Sequence, residues 1–130
     1  MVVWVWLVAS VVILSLLPAS IAPEELVDGG LGHGLAYLVL AVIPVAALQR
    51  RAMAFAVALS MIPLGILLEV LQIHIPGRAF EWADIAANIL GAAAGVVLGL
   101  LLRLRSSADT EAAGARCEPS KPRRESLAEP

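Results

Sequence analysis

The chain has 130 residues, of which 60% are hydrophobic and only 15% are charged, and its formal net charge at pH 7 is −2. A soluble domain of this length needs many more charged side chains to cover its surface, so the composition excludes an ordinary soluble globular protein. No basic patch with interleaved aromatic residues occurs in the sequence, and we therefore expect no nucleic-acid partner.

Four apolar segments follow one another along the chain, and the Asp, Glu, Lys and Arg residues lie outside them. The segments cover residues 2–17, 31–48, 52–68 and 85–102. A helix needs about 20 apolar residues to cross the hydrocarbon core of a bilayer, and fewer suffice where the bilayer is thin. Because helices satisfy their backbone hydrogen bonds internally, the pattern predicts an all-α fold, a four-helix transmembrane bundle over residues 1–102.

The first segment has a second interpretation, a cleaved signal peptide. Residues 1–23 carry no charged side chain, and Ser20, Ile21 and Ala22 resemble a small-residue cleavage site. A signal peptide normally begins with basic residues, which this segment lacks, and Pro23 would directly follow the cut. We therefore predict that the segment is retained as a span.

The composition changes abruptly after Leu102 to Arg, Ser, Glu and Pro, with few large apolar residues. Such a segment cannot bury enough apolar surface to order itself, so residues 103–130 are predicted to form a disordered cytoplasmic tail. The single cysteine, Cys117, lies in this tail. It excludes an internal disulfide and is interpreted as an unreactive thiol.

The arginines indicate the orientation in the membrane. Arg50 and Arg51 lie between the second and third segments, and Arg103 and Arg105 follow the fourth. In a four-span arrangement these connections share one side of the membrane with the N-terminus. Because short basic connections stay in the cytoplasm, we predict that both termini are cytoplasmic.

Eight polar residues fall in the opposite, outer half of the membrane in this topology. They are His33, Tyr37, Glu69, Gln72, Arg78, Glu81, Asp84 and Asn88. Spacings of three and four residues give Glu69 and Gln72 a shared helix face, and likewise Glu81, Asp84 and Asn88. Ionisable groups within a bilayer are costly and usually face a partner or a wet cavity. We therefore predict a polar pocket, roofed by the loop at residues 76–78.

Each of these residues also has a purely structural interpretation. Glu69 or Asp84 could form an ion pair with Arg78 that clamps two helical hairpins. Gln72 and Asn88 could supply interhelical hydrogen bonds, and His33 could be a residue of the membrane interface. No metal-binding spacing such as His-Glu-x-x-His is present, so we expect neither a metal site nor a cofactor.

A stripe of small residues follows the polar residues along the fourth segment. Gly91, Gly95 and Gly99 are each four residues apart. This small-xxx-small pattern is typical of helices that pack closely in membranes. The stripe shares a face with Asp84 and Asn88, so we expect it to pack inside the bundle; the alternative is a seam between two copies in a homo-oligomer.

Three of these motifs resemble the VanZ-like family. Its pattern E-x-x-Q corresponds to Glu69 and Gln72, its P-G-R to residues 76–78, and its D-x-x-x-N-x-x-G to Asp84, Asn88 and Gly91. A further family segment, D-K-x-x-H-F-x-x-Y, is matched less well around His33 and Tyr37. There Gly29 stands where the family has lysine, Gly34 replaces the phenylalanine, and the interval from Asp28 to the histidine is one residue longer.

The resemblance implies a multi-pass protein of the bacterial inner membrane, in a family whose founding member is associated with teicoplanin resistance. It implies no reaction. We therefore expect a protein that binds or handles a lipid, cell-wall precursor or lipophilic glycopeptide, with membrane lipids as its partners. Arg78 would hold an anionic head group, and the other polar residues would orient it.

Two other functions stay open. One is an intramembrane enzyme that uses Glu69 or Asp84 with His33 as acid and base. No recognisable nucleophile accompanies these groups, so we assign no catalytic residue and expect that the protein is not an enzyme. The other is a small proton-coupled carrier, which four short spans could form only as an oligomer.

Overall fold

The computed structural model describes residues 1–22 and 30–116, with side chains over residues 1–22 and 30–110. These residues form five helices and, in the described ranges, no strand. The helices are α1 (Val2–Ser15), α2 (Gly30–Ala47), α3 (Arg51–Leu59), α4 (Met61–Gln72) and α5 (Trp82–Arg116). The prediction of an all-α fold is confirmed.

Three helical units are long and apolar enough to cross a membrane. They are α2, the pair α3 and α4 taken as one unit of 22 residues, and α5 over Trp82–Thr110. At 14 residues, α1 is shorter; it is about 21 Å long, against about 30 Å of hydrocarbon core. It nevertheless packs against the bundle, because Trp4 donates its indole N–H to the carbonyl oxygen of Leu40 at 2.8 Å. Three of the four predicted spans therefore have full spanning length.

The predicted third segment is two helices that meet at Ser60. Pro63 lies in the first turn of α4, and it has no N–H to donate to the carbonyl of Leu59. The Ser60 hydroxyl donates to a different carbonyl oxygen, that of Val57, at 2.7 Å.

The most extensive helix contact joins α2 and α5, which run in the same direction. Their approach depends on the glycine stripe of α5. A Cβ at Gly91 would collide with the backbone of Gly34, and one at Gly95 with the carbonyl oxygen of Leu38. A Cβ at Gly99 would lie 2.8 Å from the Cβ of Val45. The parallel packing brings the first turns of both helices to one end of the bundle and their later turns to the other.

The helix α5 continues through residues 103–116, where the sequence predicted the start of a disordered tail. The predicted domain boundary at Leu102 stays a prediction. The helix can continue past this residue because residues 103–116 extend a helix that is already nucleated, so each adds a backbone hydrogen bond without a nucleation cost. Side-chain hydroxyls also bond to the helix backbone, as Ser107 does to the carbonyl oxygen of Arg103 at 3.0 Å. Residues 117–130, with Cys117, lie outside the described residues, as do residues 23–29.

Candidate functional site

Six of the eight polar residues singled out from the sequence are buried at one end of the bundle. We call these six the polar cluster: His33, Tyr37, Glu69, Gln72, Asp84 and Asn88. They come from α2, α4 and α5, and none is more than 7% exposed when the whole residue, backbone and side chain together, is counted. Arg78 is half-buried at the rim of the cluster, whereas the side chain of Glu81 is exposed. Glu69 and Asp84 therefore point into the bundle and not towards lipid.

His33 and Asp84 join α2 to α5 within the polar cluster. The imidazole Nδ1 lies 3.1 Å from the carboxylate Oδ2, and each side chain is 9% exposed. This is an ion-pair distance if the imidazole is protonated. The orientation of the ring relative to the carboxylate oxygen does not meet the geometry of a hydrogen bond. The other carboxylate oxygen, Oδ1, has no hydrogen-bond partner among the described residues.

Glu69 joins α4 to the residues that precede α5. Its Oε1 accepts a hydrogen bond of 2.7 Å from the backbone N–H of Glu81. The carboxylate is buried at the same end of the bundle as His33 and Asp84. The sequence-based alternative paired Glu69 with Arg78; the hydrogen bond that the structure describes for this carboxylate is instead to a backbone group.

Gln72 and Arg78 hold the C-terminal end of α1. The side-chain amide of Gln72 donates to the carbonyl oxygen of Ser15 at 3.0 Å, and Nε of Arg78 donates to that of Leu17 at 3.3 Å. Both carbonyls lie in the part of a helix end where intrahelical partners run out. Gly77, at φ 78°, lets the loop approach so closely that a Cβ there would lie 2.9 Å from the Cβ of Ala19.

Tyr37 and Asn88 meet at Gly65 of α4. A Cβ at Gly65 would lie 3.0 Å from the Tyr37 hydroxyl and 3.0 Å from Nδ2 of Asn88. Gly65 precedes Glu69 by four residues and so shares its helix face. The Tyr37 hydroxyl and Oδ1 of Asn88 have no hydrogen-bond partner among the described residues.

Three features of the site were not predicted from the sequence: the space at Gly65, the carbonyl of Ser15 and the backbone N–H of Glu81. The four-residue spacing from Gly65 to Glu69 could have indicated the first. The other two are backbone groups, which every residue carries, so no residue type marks them.

The polar cluster offers both donors and acceptors to a bound molecule. Buried polar atoms normally have hydrogen-bond partners, and leaving one without a partner costs about 1–3 kcal/mol. The unpartnered atoms on Tyr37, Asp84 and Asn88 therefore suit hydroxyl, amide or ammonium groups of a ligand. Over the described residues, no group of three His, Cys, Asp or Glu side chains is arranged to hold a metal ion.

Comparison with known proteins gives one finding. The model of a protein family described as VanZ/LLP1 matches residues 5–103, which run from α1 to the part of α5 beside the end of α2. No curated protein matches the chain. No solved structure matches it either. The matched range contains the whole polar cluster, and it confirms the resemblance noted from the motifs around Glu69, Arg78 and Asp84.

Proposed function

The chain belongs to the VanZ/LLP1 family, and from this premise we propose that its polar cluster binds the polar part of an amphipathic molecule of the cell envelope. The ligand class comprises envelope lipids, lipid-linked cell-wall precursors and lipophilic glycopeptides. In this proposal the protein contributes to resistance against teicoplanin-like glycopeptides by holding such a molecule at the outer face of the inner membrane.

One observation carries the proposal: unpartnered polar atoms from two helices are buried together. The Tyr37 hydroxyl comes from α2, and Oδ1 of Asp84 and Oδ1 of Asn88 come from α5. Buried polar atoms normally have partners, and the single hydroxyl of Tyr37 could donate to only one of the two acceptor oxygens. Two acceptors and one hydroxyl instead favour a ligand that supplies its own hydrogen-bond donors, such as the hydroxyl and amide groups of a sugar or peptide head group.

An apolar cavity beside the polar cluster suits the tail of such a molecule. It has a volume of about 380 Å³ and lies between α1 and α2, with Leu7, Val11, Leu14 and Val39 in its lining. Leu14 directly precedes Ser15, whose carbonyl accepts from Gln72. The cavity is a groove open to the surface, since Leu14 and Val39 are exposed, and it runs along α1 and α2 from the turn before Ser15, where the acyl chain of an amphipathic ligand could lie.

The test replaces Asp84 with asparagine in the full chain and uses Asp109→Asn as its matched control. Asp109 is an exposed residue of the same helix, far from the polar cluster. If the cluster binds the ligand through Asp84, loss of this charge weakens binding of labelled teicoplanin by about tenfold, whereas the control leaves it unchanged. Membrane abundance and glycopeptide susceptibility are measured in the same cells. Loss of abundance in parallel with loss of binding would assign Asp84 a structural role and contradict the proposal.

A second candidate, acid–base catalysis on a lipid-linked substrate, is favoured by the His33–Asp84 contact of 3.1 Å. A carboxylate beside an imidazole orients the ring and stabilises its protonated form. Turnover of a labelled lipid precursor by the purified chain, abolished in His33→Gln, would support catalysis. Binding of the same precursor without turnover would support the first proposal.

A further inference from the structure

The end of the bundle opposite to the polar cluster carries four arginines. We call it the arginine end: Arg50, Arg51, Arg103 and Arg105. Arg50 and Arg51 lie at the start of α3, and the other two lie on α5, where it passes the end of α2. The described acidic residue nearest to them in sequence is Asp109, which is exposed. This end therefore carries an excess of positive charge.

Two cavities adjoin each other here, and Arg103 lines both. The larger, of about 380 Å³, lies between the end of α2 and α5, with Gln49 and Ser106 in its lining. The smaller, of about 170 Å³, lies between α3 and α5. Besides Arg103, its lining consists of Arg51, Leu100, Leu104 and Ser107. Among the described residues, neither lining contains an acidic side chain.

Arg103 is held in place by the end of α2. Its Nη2 donates to the carbonyl oxygen of Gln49 at 2.6 Å, and its Nη1 donates to that of Val45 at 3.4 Å. Carbonyls at the C-terminal end of a helix attract a cation. A guanidinium carries five N–H donors, more than these two bonds use. A positioned guanidinium with remaining donors, between two cavities, is suited to hold a phosphate.

The mixed lining of the smaller cavity indicates an amphipathic anion. Arg51 and Arg103 supply positive charge, Ser107 supplies a hydroxyl, and Leu100 and Leu104 form an apolar wall one helical turn apart. A free inorganic phosphate would gain nothing from the leucines, whereas the glycerol and first acyl carbons of a phospholipid would be buried against them.

We propose that the arginine end is a binding site for an anionic phospholipid. The phosphate is held between Arg51 and Arg103, the glycerol part lies at Ser107, and an acyl chain follows Leu100 and Leu104. Basic pockets between transmembrane helices bind anionic head groups in this way. The site is at the other end of the bundle from the polar cluster and does not depend on the function proposed for that cluster.

The test uses the full chain, purified in detergent and stripped of lipid. Phosphatidylglycerol and phosphatidylcholine are added separately, and the lipid retained is measured by native mass spectrometry. We expect phosphatidylglycerol to be retained preferentially, and Arg51→Gln to weaken its binding about fivefold, the effect of one arginine near an anionic head group. Arg105→Gln is the matched control, because Arg105 is exposed and lines neither cavity.

A second variant covers the case in which Arg51→Gln does not fold. Ser107→Ala keeps every charge and is expected to weaken phosphatidylglycerol binding about threefold through the lost hydroxyl. Equal retention of both lipids would overturn the proposal. So would an Arg105→Gln effect as large as that of Arg51→Gln, or unchanged binding in every variant that folds. Displacement of the lipid by millimolar inorganic phosphate would assign the site to a free anion instead.

Discussion

The two ends of this bundle differ in the sign and in the burial of their charged side chains. At the polar cluster, acidic, imidazole and amide side chains are buried; Glu69 and Gln72 bond to backbone groups, His33 contacts Asp84, and other polar atoms have no partner among the described residues. At the arginine end, the charges are basic, three of the four arginines are exposed, and cavities open beside them. Buried charge needs positioned partners, whereas exposed charge can be shared with water and lipid head groups.

This difference predicts which substitutions should lower the stability of the protein most. A substitution in the polar cluster removes a partner from a group that has no access to water. A substitution at the arginine end leaves groups that water can reach. Both ends are connected by the close contact of α2 and α5, so the largest effect is expected from that contact, the next from the polar cluster and the smallest from the arginine end.

Gly95→Leu should have the largest effect. A side chain at this position collides with the carbonyl oxygen of Leu38 and lies 2.9 Å from the Cβ of Ala41. Separating α2 from α5 disturbs both ends at once, and we expect a loss of more than about 3 kcal/mol of stability. The measurement is membrane abundance together with the thermal unfolding temperature in detergent.

The control for this variant is Ala94→Leu, the preceding residue of α5, which is exposed. It adds a leucine of the same size on the lipid-facing side, where no close contact is lost. Equal destabilisation by both variants would show that bulk anywhere on α5 is harmful, and it would contradict the role given to the glycine stripe.

Some features of the fold, including the glycine contact, could be predicted from the sequence, and others could not. Spacings of four along α5 predicted a close contact, and the four apolar segments predicted a helical membrane protein. Pro63 inside the third segment predicts a kink, and the break at Ser60 lies three residues before it. The exact position of the break could not be predicted, because the sequence does not show whether neighbouring groups replace the hydrogen bond that a proline removes. The continuation of α5 to Arg116 cannot be read from composition, because composition describes a segment in isolation and not as the extension of an existing helix.

The sequence allowed us to predict that six of the eight candidate residues are buried together, but not which groups they bond to. Helical spacing gave Glu69 and Gln72 a common face, and both side chains are buried. Their partners are the N–H of Glu81 and the carbonyl of Ser15, which are backbone groups without a signature in the sequence. Which side of the membrane carries the polar cluster stays a prediction from the arginines.

Within the polar cluster, Glu69→Leu should lower the stability of the protein more than Glu69→Gln. Leucine leaves the backbone N–H of Glu81 without its acceptor, at a cost of about 1–3 kcal/mol, whereas glutamine keeps a carbonyl oxygen within reach. Thermal unfolding of the two purified variants measures the difference. The exposed side chain of Glu81 provides the control, and Glu81→Gln should leave the unfolding temperature unchanged. Equal stability of Glu69→Leu and Glu69→Gln would mean that the hydrogen bond of 2.7 Å contributes nothing.

Gln72→Leu should act on α1 alone and by a smaller amount. It removes the hydrogen bond to the carbonyl oxygen of Ser15, which is worth about 1 kcal/mol. Hydrogen exchange of the backbone amides in the last turn of α1 should become faster, while exchange in α2 and α5 stays as it was. His74→Leu serves as the control, since His74 is exposed two residues further on. Faster exchange throughout the bundle would show that Gln72 supports more than the end of α1.

Arg103→Gln should have the smallest effect on stability, although it breaks two hydrogen bonds. The carbonyls of Val45 and Gln49 lie at the end of α2, where water can replace a lost donor. An exposed interaction of a cation with a helix C-terminus is worth about 0.3–1 kcal/mol and is weakened by salt. The variant should therefore unfold at nearly the same temperature as the parent, and the small difference should shrink further in high salt. A large loss of stability that does not depend on salt would contradict this prediction. It would mean that the charge of Arg103 is shielded from water, as the charges of the polar cluster are.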